Sequence, residues 1–397
     1  MTIIRMKDRG FMHLNEYCLE MILDYSNFRE HISFSQTCSR FREVFGIWAR
    51  NKYTKVSIVG DVEEKELVLM SLVASNIKGL TIFVDDLVSS FQSLYNLESK
   101  NSLIKFCDLV QRMQKLESVK IRQTNQHPIT GNLLTALRHL PNLKQMHIST
   151  PRQGTKRLGM FHKLEFISID VELPSRILRR CCASMTNLRT LHLSSEVGSL
   201  YLRDVLDHLP HLQDLSFEID RSWRTSRLVC YPKWNPSRSL IEIFNFLASR
   251  RTLEALKIKG HLIAETEAEA LAKITSLKKL DCHFSSPACV QHLRNLTSLE
   301  ILRLSHISSE DISYLYLNVI YSCQNLRFLR ILDNNITPKF IERVDEVLAP
   351  NEPTNKLTLL IHGVYTEDAL REFKSTSLDR KNVLLRSMTA TELLALI

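Results

Sequence analysis

The residues able to do covalent or metal chemistry are few and poorly placed for it. Cys282, His283, Cys289 and His292 form a short run of zinc-type ligands, but their spacing fits no common zinc finger. Cys282 also stands at an inward-pointing place in the local strand pattern, where a free cysteine behaves as a small hydrophobe. Cys181 and Cys182 are neighbours on an expected helix, so their thiols point apart. No phosphate-binding P-loop, G-x-G-x-x-G, G-x-S-x-G or H-E-x-x-H occurs. No catalytic residue, metal or cofactor is assigned. The chemistry that remains is recognition. The run from Arg221 to Arg238 holds five basic residues, no acid, and two of the three tryptophans. Trp223, Arg224, Arg227 and Trp234 are therefore candidate binding residues, since a loop is an odd place for indoles that meet nothing. A protein partner is the expected occupant, and stacking on single-stranded nucleic acid is the less favoured alternative.

What positions these residues is a phrase written nine times. Leu188-Arg-Thr-Leu-His-Leu193 reads L-x-x-L-x-L, and it returns from Leu143, Leu212, Leu253, Leu299 and Leu326, with looser copies from Leu116, Leu164 and Leu277. The steps between first leucines are 27, 21, 24, 24, 41, 24, 22 and 27 residues. All but one lie in or near the range of a leucine-rich repeat, a strand followed by a helix. Amphipathic segments between the strands supply the helices: Gly131 to Leu140, Ser175 to Met185, Leu200 to Leu209, Glu265 to Ile274 and Glu310 to Ser322. The fold class expected is α/β: a leucine-rich-repeat solenoid with a curved parallel sheet and helices outside. The one long step contains an insertion at 221–239.

In such a strand the leucines point into the core, and alternation turns the third, fifth and seventh places to the concave face. That face begins hydroxyl-rich and mildly acidic, through Thr190, His192, Ser194, Asp214, Ser216 and Glu218. It then becomes basic and partly apolar. Lys257, Lys259, Lys279, Arg303 and Arg330 stand beside Ile301, Phe328 and Leu332. Charges with an adjacent aromatic suit a protein-binding patch, so Lys257, Lys259, Arg303, Phe328 and Arg330 join the candidates.

The bulk properties fit a folded chain: 44% hydrophobic residues and only 10 glycines and 11 prolines in 397. A net charge of +9 favours acidic partners. Nine scattered cysteines with no export signal point to reduced thiols in the cytoplasm or nucleus. The longest apolar stretch, around Leu67 to Ile77, is too short to span a bilayer, so no membrane is expected.

Ahead of the repeats lies a helical segment. Leu14, Cys18, Ile22 and Tyr25 recur at helical spacing, with Leu19 and Leu23 widening the stripe, and Asn15 is placed to cap. A second helix is expected from Ser33 to Trp48. The pattern L-x-x-x-x-L-x-x-I-L, followed by C-x-R-F-x-x-x-F and a Trp, resembles the F-box; the matching positions are Leu14, Leu19, Ile22, Leu23, Cys38, Arg40, Phe41, Phe45 and Trp48. Asn15 stands where the F-box has Pro, and Ser26 where it has Leu. Coupled to the repeats, the chain resembles the F-box/leucine-rich-repeat family. That resemblance implies the substrate-recognition subunit of an SCF-type cullin–RING ubiquitin ligase. Leu14, Leu19, Ile22, Leu23, Phe41, Phe45 and Trp48 would bind the adaptor subunit, the repeats would bind a substrate protein, and this chain would not itself be an enzyme. The alternative is a repeat scaffold or inhibitor without ubiquitin function, its N-terminal helices a plain cap. The expected division is 11–50 F-box-like module, 51–115 irregular first repeats and linking helices, 116–350 repeats, and 351–397 last repeat and cap. Leu357 to His362 is expected as the last strand, with a helix over Glu367 to Phe373.

Overall fold

The computed structural model describes residues 14–95, 99–125, 129–150, 157–171, 173, 175–194, 199–219, 236–305, 310–333, 335–351, 356–362, 375–376 and 382–385. It divides into two compact units, Met1–Leu164 and Glu165–Ile397. The division falls inside the repeats.

The first unit opens with three helices, α1 (Glu16–Tyr25), α2 (Phe28–Thr37) and α3 (Ser39–Lys52). Asn15 caps α1 by accepting the Cys18 N–H at 2.8 Å. Asn27 and Glu30 form a reciprocal capping box on α2. The single helix expected from Ser33 to Trp48 is instead two. Cys38 is fully extended, with φ −160° and ψ 171°, and ends α2 while starting α3. The hydroxyls of Ser33, Ser35 and Thr37 bond back to carbonyls of the preceding turn. Such local competition for the carbonyls weakens a helix just where this one stops. Repeats follow: β1 (Lys55–Ile58), α4 (Glu64–Val73), β2 (Gly79–Phe83), α5 (Val84–Tyr95), α6 (Ser99–Gln111), β3 (Ser118–Arg122), α7 (Ile129–Leu137) and β4 (Gln145–Ser149). The four strands pair in parallel, with Lys55, Gly79, Ser118 and Gln145 in one register row.

The second unit continues the same plan: β5 (Phe166–Ile169), α8 (Ser175–Ser184), β6 (Thr190–Leu193), α9 (Ser199–Asp207), β7 (Asp214–Glu218), α10 (Pro236–Arg250), β8 (Ala255–Ile263), α11 (Glu265–Leu271), β9 (Lys279–Phe284), α12 (Pro287–His292), β10 (Ile301–Ser305), α13 (Ser313–Ser322), β11 (Phe328–Leu332), α14 (Lys339–Leu348), β12 (Leu357–His362) and β13 (Val383–Leu385). All nine copies of the phrase form strands. β12 is not the last strand, because β13 pairs with it in parallel. The helix expected over 367–373 lies outside the described residues.

Register explains why the phrase has its spelling. Ile167, Leu191, Leu215, Leu256, Leu280, Leu302, Leu329 and Leu359 face one another across eight strands, and each is buried. Burying each such side chain is worth about 2 kcal/mol, and the row is repeated by Leu193, Phe217, Ile258, Cys282, Leu304 and Ile331. Neighbouring helices pack on one another within each unit, as α5 on α6 and α6 on α7 in the first and α8 on α9, α9 on α10 and α13 on α14 in the second, and the core lies between helices and strands. The residues between the leucines are left on the opposite face.

Candidate functional site

Two regions carry the candidate residues. In the helical module the core is built from Leu19 and Leu23 of α1, Ile32 of α2, and Phe41, Val44, Phe45 and Ala49 of α3, all buried. His31 ties the three helices together. Its Nε2 lies 2.8 Å from the Leu23 carbonyl and its Nδ1 2.7 Å from the Tyr53 hydroxyl. A carbonyl only accepts, so Nε2 carries the proton. The ring also packs against Trp48 at 4.7 Å between centroids. Trp48 donates its indole N–H to Asp24 at 3.0 Å, and Lys52 pairs with the same carboxylate at 2.8 Å. Hydrogen bonds from Lys52 and then Trp48 hold the Asp24 carboxyl below its ordinary range.

Leu19, Leu23, Phe41 and Phe45 are thus committed to the module's own interior, whereas Leu14, Ile22 and Trp48 keep part of their surface. Of the expected stripe through Leu14, Cys18, Ile22 and Tyr25, widened by Leu19 and Leu23, only the Leu19–Leu23 edge is fully buried. That edge is where α3 lies, and Tyr25 is 88% exposed. The apolar residues of α1 that face outward are Tyr17 (69% exposed), Met21 (42%) and Tyr25, at helical four-residue spacing. Ile47 of α3 is also exposed. Sequence reasoning passed over this set because a stripe of two or three turns reads equally well a step round the helix.

In the second unit, the strand face opposite the core holds a hollow of about 460 Å³. Ser168, His192, Ser194, Asp214 and Ser216 line one side, and Lys257, Lys259, Lys279, Asp281, Ile301 and Arg303 the other. Asp281 is its centre. Its Oδ2 lies 3.0 Å from Lys257 Nζ and 3.7 Å from Arg303 Nη1. Register produces this, because Lys257, Asp281, Arg303 and Arg330 are opposite one another on β8, β9, β10 and β11. The Arg303 guanidinium also lies over the Phe328 ring at 5.6 Å. On the other side His192 Nε2 and Asp214 Oδ1 are 3.3 Å apart, and His192 meets Phe166 edge-on at 5.2 Å.

The structure therefore brings together Lys257, Lys259, Arg303, Phe328 and Arg330 on one face, and adds Asp281, which the charge pattern alone did not single out. Trp223, Arg224, Arg227 and Trp234 lie outside the described residues. The run that began as a zinc candidate is packed structurally: Cys289 Sγ donates to the Ile263 carbonyl at 3.3 Å and Cys282 is buried in β9. Among the described residues no group of three or more His, Cys, Asp or Glu is placed to hold a metal ion. No helix among them is long and apolar enough to cross a membrane.

Comparison with known proteins gives one family match. Residues 11–47 match the F-box domain. No curated protein matches the chain. Among solved structures, an internalin (inlF) from Listeria monocytogenes is similar at 13% identity and a TM-score of 0.42, over 94% of this chain and 97% of that one. A TLR13–ssRNA13 complex is similar at 11% identity and a TM-score of 0.27, over 85% of this chain and 62% of that one. Residues 11–47 are thus similar to an F-box domain, and the leucine-rich-repeat architecture that follows them stands on its own strand ladder and inward leucine rows.

Proposed function

We propose that this chain is the substrate-recognition subunit of an SCF-type cullin–RING ubiquitin ligase, with the F-box binding the adaptor subunit and the repeats holding a target protein. The observation that carries the reading is the F-box match at residues 11–47, joined to a repeat face lined by charges and an aromatic. Binding of a protein by the repeats needs no ligase; the ligase role follows from the adaptor binding that F-box modules perform.

The division of labour follows from the side chains. The module uses its own core for stability, so a partner meets what is left outside: Tyr17, Met21 and Tyr25, with the exposed parts of Leu14, Ile22 and Trp48. Exposed aromatic and Met side chains on one helix are the usual anchors of a helix-face interface. The repeats then hold a substrate near a ubiquitin-charged enzyme, and the contribution to rate is effective concentration. Bond-making belongs to other subunits, in the cytoplasm or nucleus.

The test separates the module's surface from its core. In the full-length chain, Met21→Glu with Tyr17→Ala should reduce adaptor co-purification at least ~10-fold while leaving the melting curve in place. Leu19→Ala removes a buried side chain and should cost about 2–5 kcal/mol, melting the module itself. Undiminished adaptor binding by the surface variant would refute the assigned docking face. Failure of the unaltered chain to bind adaptor at all would favour the scaffold or inhibitor reading.

A further inference from the structure

We infer that the strand face of β8 to β11 binds an extended acidic segment of a partner protein. Lys259, Lys279 and Arg330 would take its carboxylates, while Ile301 and Phe328 take an apolar side chain. This deepens the substrate-receptor reading and rests on it for the partner being a protein.

The first support is charge balance. The outward positions of these four strands carry Lys257, Lys259, Lys279, Arg303 and Arg330 against a single acid, Asp281. Asp281 is shared by Lys257 and Arg303. Lys259, Lys279 and Arg330 form no ion pair among the described residues; the nearest acid by register, Glu218 opposite Lys259 on β7, closes none. The nearby Asp214 lies against His192. Cations gathered on one face without counter-charges attract an anion and steer its approach.

The second support is geometry. Parallel strands stand about 4.8 Å apart, so the row Lys257–Asp281–Arg303–Arg330 runs about 14 Å across the sheet, the length of roughly four extended residues. Beside it runs the row Lys279–Ile301–Phe328, also in register. A charged row beside a half-apolar one suits alternate acidic and apolar side chains. Asp281 already shows that a carboxylate fits between Lys257 and Arg303, so its removal should open one more anion position there.

The third support concerns what the face disfavours. A nucleic-acid strand binds by a phosphate track with repeated stacking platforms. Here Phe328 is the only Phe, Tyr or Trp on the outward positions of β8 to β11, and Asp281 stands in the middle of the cations. A short peptide with a few spaced acids avoids both problems.

The test uses the full-length chain and three fluorescent probes: a twelve-residue peptide alternating Glu with Leu and Ser, the same peptide with Gln for Glu, and oligouridylate. Anisotropy is read at about 50 and about 300 mM salt, which shortens the screening length roughly two- to three-fold. The Glu peptide should bind at least ~10-fold tighter than the Gln peptide at low salt, and most of that preference should vanish at high salt. Lys279→Glu with Arg330→Glu should abolish the preference, and Asp281→Asn should tighten Glu-peptide binding several-fold. Because the last arm gains affinity, it also guards against a variant that simply misfolds. Equal affinity for the two peptides, an unchanged preference after charge reversal, or tighter binding of oligouridylate than of the Glu peptide would overturn the inference. Adaptor co-purification is measured on the same preparations. For the unaltered chain, no preference for the Glu peptide with adaptor retained sinks this inference alone, and the reverse sinks the ligase reading alone.

Discussion

A Cβ built on Gly260 would stand 2.1 Å from the carbonyl oxygen of Ile219, closer than any real pair of such atoms. The residue also has φ +74°, the left-handed region that side chains disfavour. Both facts arise from a bulge in β8. Lys257 is opposite Asp281, but the next pair across to β9 is Leu262 with His283, so Ile258 to His261 stand where β9 has Cys282 alone. The extra residues are fixed on the β7 side by the Ile219 N–H donating to the Lys259 carbonyl at 3.0 Å. On the other side His261, buried, reaches Glu267 at 2.8 Å, and the same carboxylate oxygen accepts the Ala264 N–H at 2.8 Å. The bulge aims Lys259 outward at the edge of the hollow.

Gly260→Ala should therefore destabilise the second unit by about 3 kcal/mol, the sum of an unfavourable φ and a forced backbone shift. Chemical denaturation of the variant should show a lower midpoint. An unchanged midpoint would mean that the β7–β8 approach is looser than this contact allows.

The thiols give an independent check on burial. Cys18 and Cys38 are half-exposed, and Cys107, Cys181, Cys182, Cys282, Cys289 and Cys323 are buried. Burial pushes Cys182 up to about 12 and Cys107 and Cys323 up to about 11, with Asp108 adding to the effect at Cys107. Since the thiolate is the nucleophile, these groups are both shielded and almost wholly protonated at pH 8. Cys230 lies outside the described residues, so the count is made on the Cys230→Ser chain. A thiol-reactive disulfide should titrate two groups in the native chain and eight after denaturation. Fast reaction of Cys182 or Cys323 without denaturant would contradict the packing of α8 or of the turn before β11.

What could be read from sequence follows the length scale of the pattern. L-x-x-L-x-L places the start of each of its nine strands to within about two residues, and a two-residue alternation allows one inward set only. It also delivered the outward rows, and so Lys257, Arg303, Phe328 and Arg330 as neighbours. Three features escaped it. Cys38 divides a helical stretch by backbone conformation, and its apolar neighbours continue the stripe through the break. The bulge after Lys257 is set by contact with a strand more than thirty residues earlier. In α1, the choice between Leu19–Leu23 and Cys18–Ile22–Tyr25 as the buried line is made by α3, whose Phe41 and Phe45 fill the space. Asp281 was visible as a face residue, but its role as the shared partner of two cations needed the register of three strands at once.

Arg250 is the clearest case of a side chain whose work is invisible in its own segment. It ends α10, yet its Nη1 donates to the carbonyls of Leu206 and Leu209 at 2.8 and 2.9 Å, and its Nη2 to that of Asp207 at 3.1 Å. These are carbonyls at and just past the C-terminus of α9, where those of Leu206 and Leu209 also accept the Leu209 and Leu212 backbone N–H groups and the helix dipole favours a cation. The guanidiniums of Arg250 and Arg203 both lie over Phe246 of α10, at 4.4 and 3.4 Å from its ring centre. Arg250→Met keeps the aliphatic stem and removes all three hydrogen bonds. Because the site is only half-buried, water replaces part of what is lost, and the expected cost is about 2 kcal/mol. Arg250→Lys keeps the charge but cannot present the same fork of donors, so it should recover less than half of that. Hydrogen exchange localises the effect: amides at the end of α9 should lose protection in the Met variant while those of β10 and β11 keep theirs. Full rescue by Lys would show that the charge, and not the three-carbonyl geometry, is what joins α10 to α9.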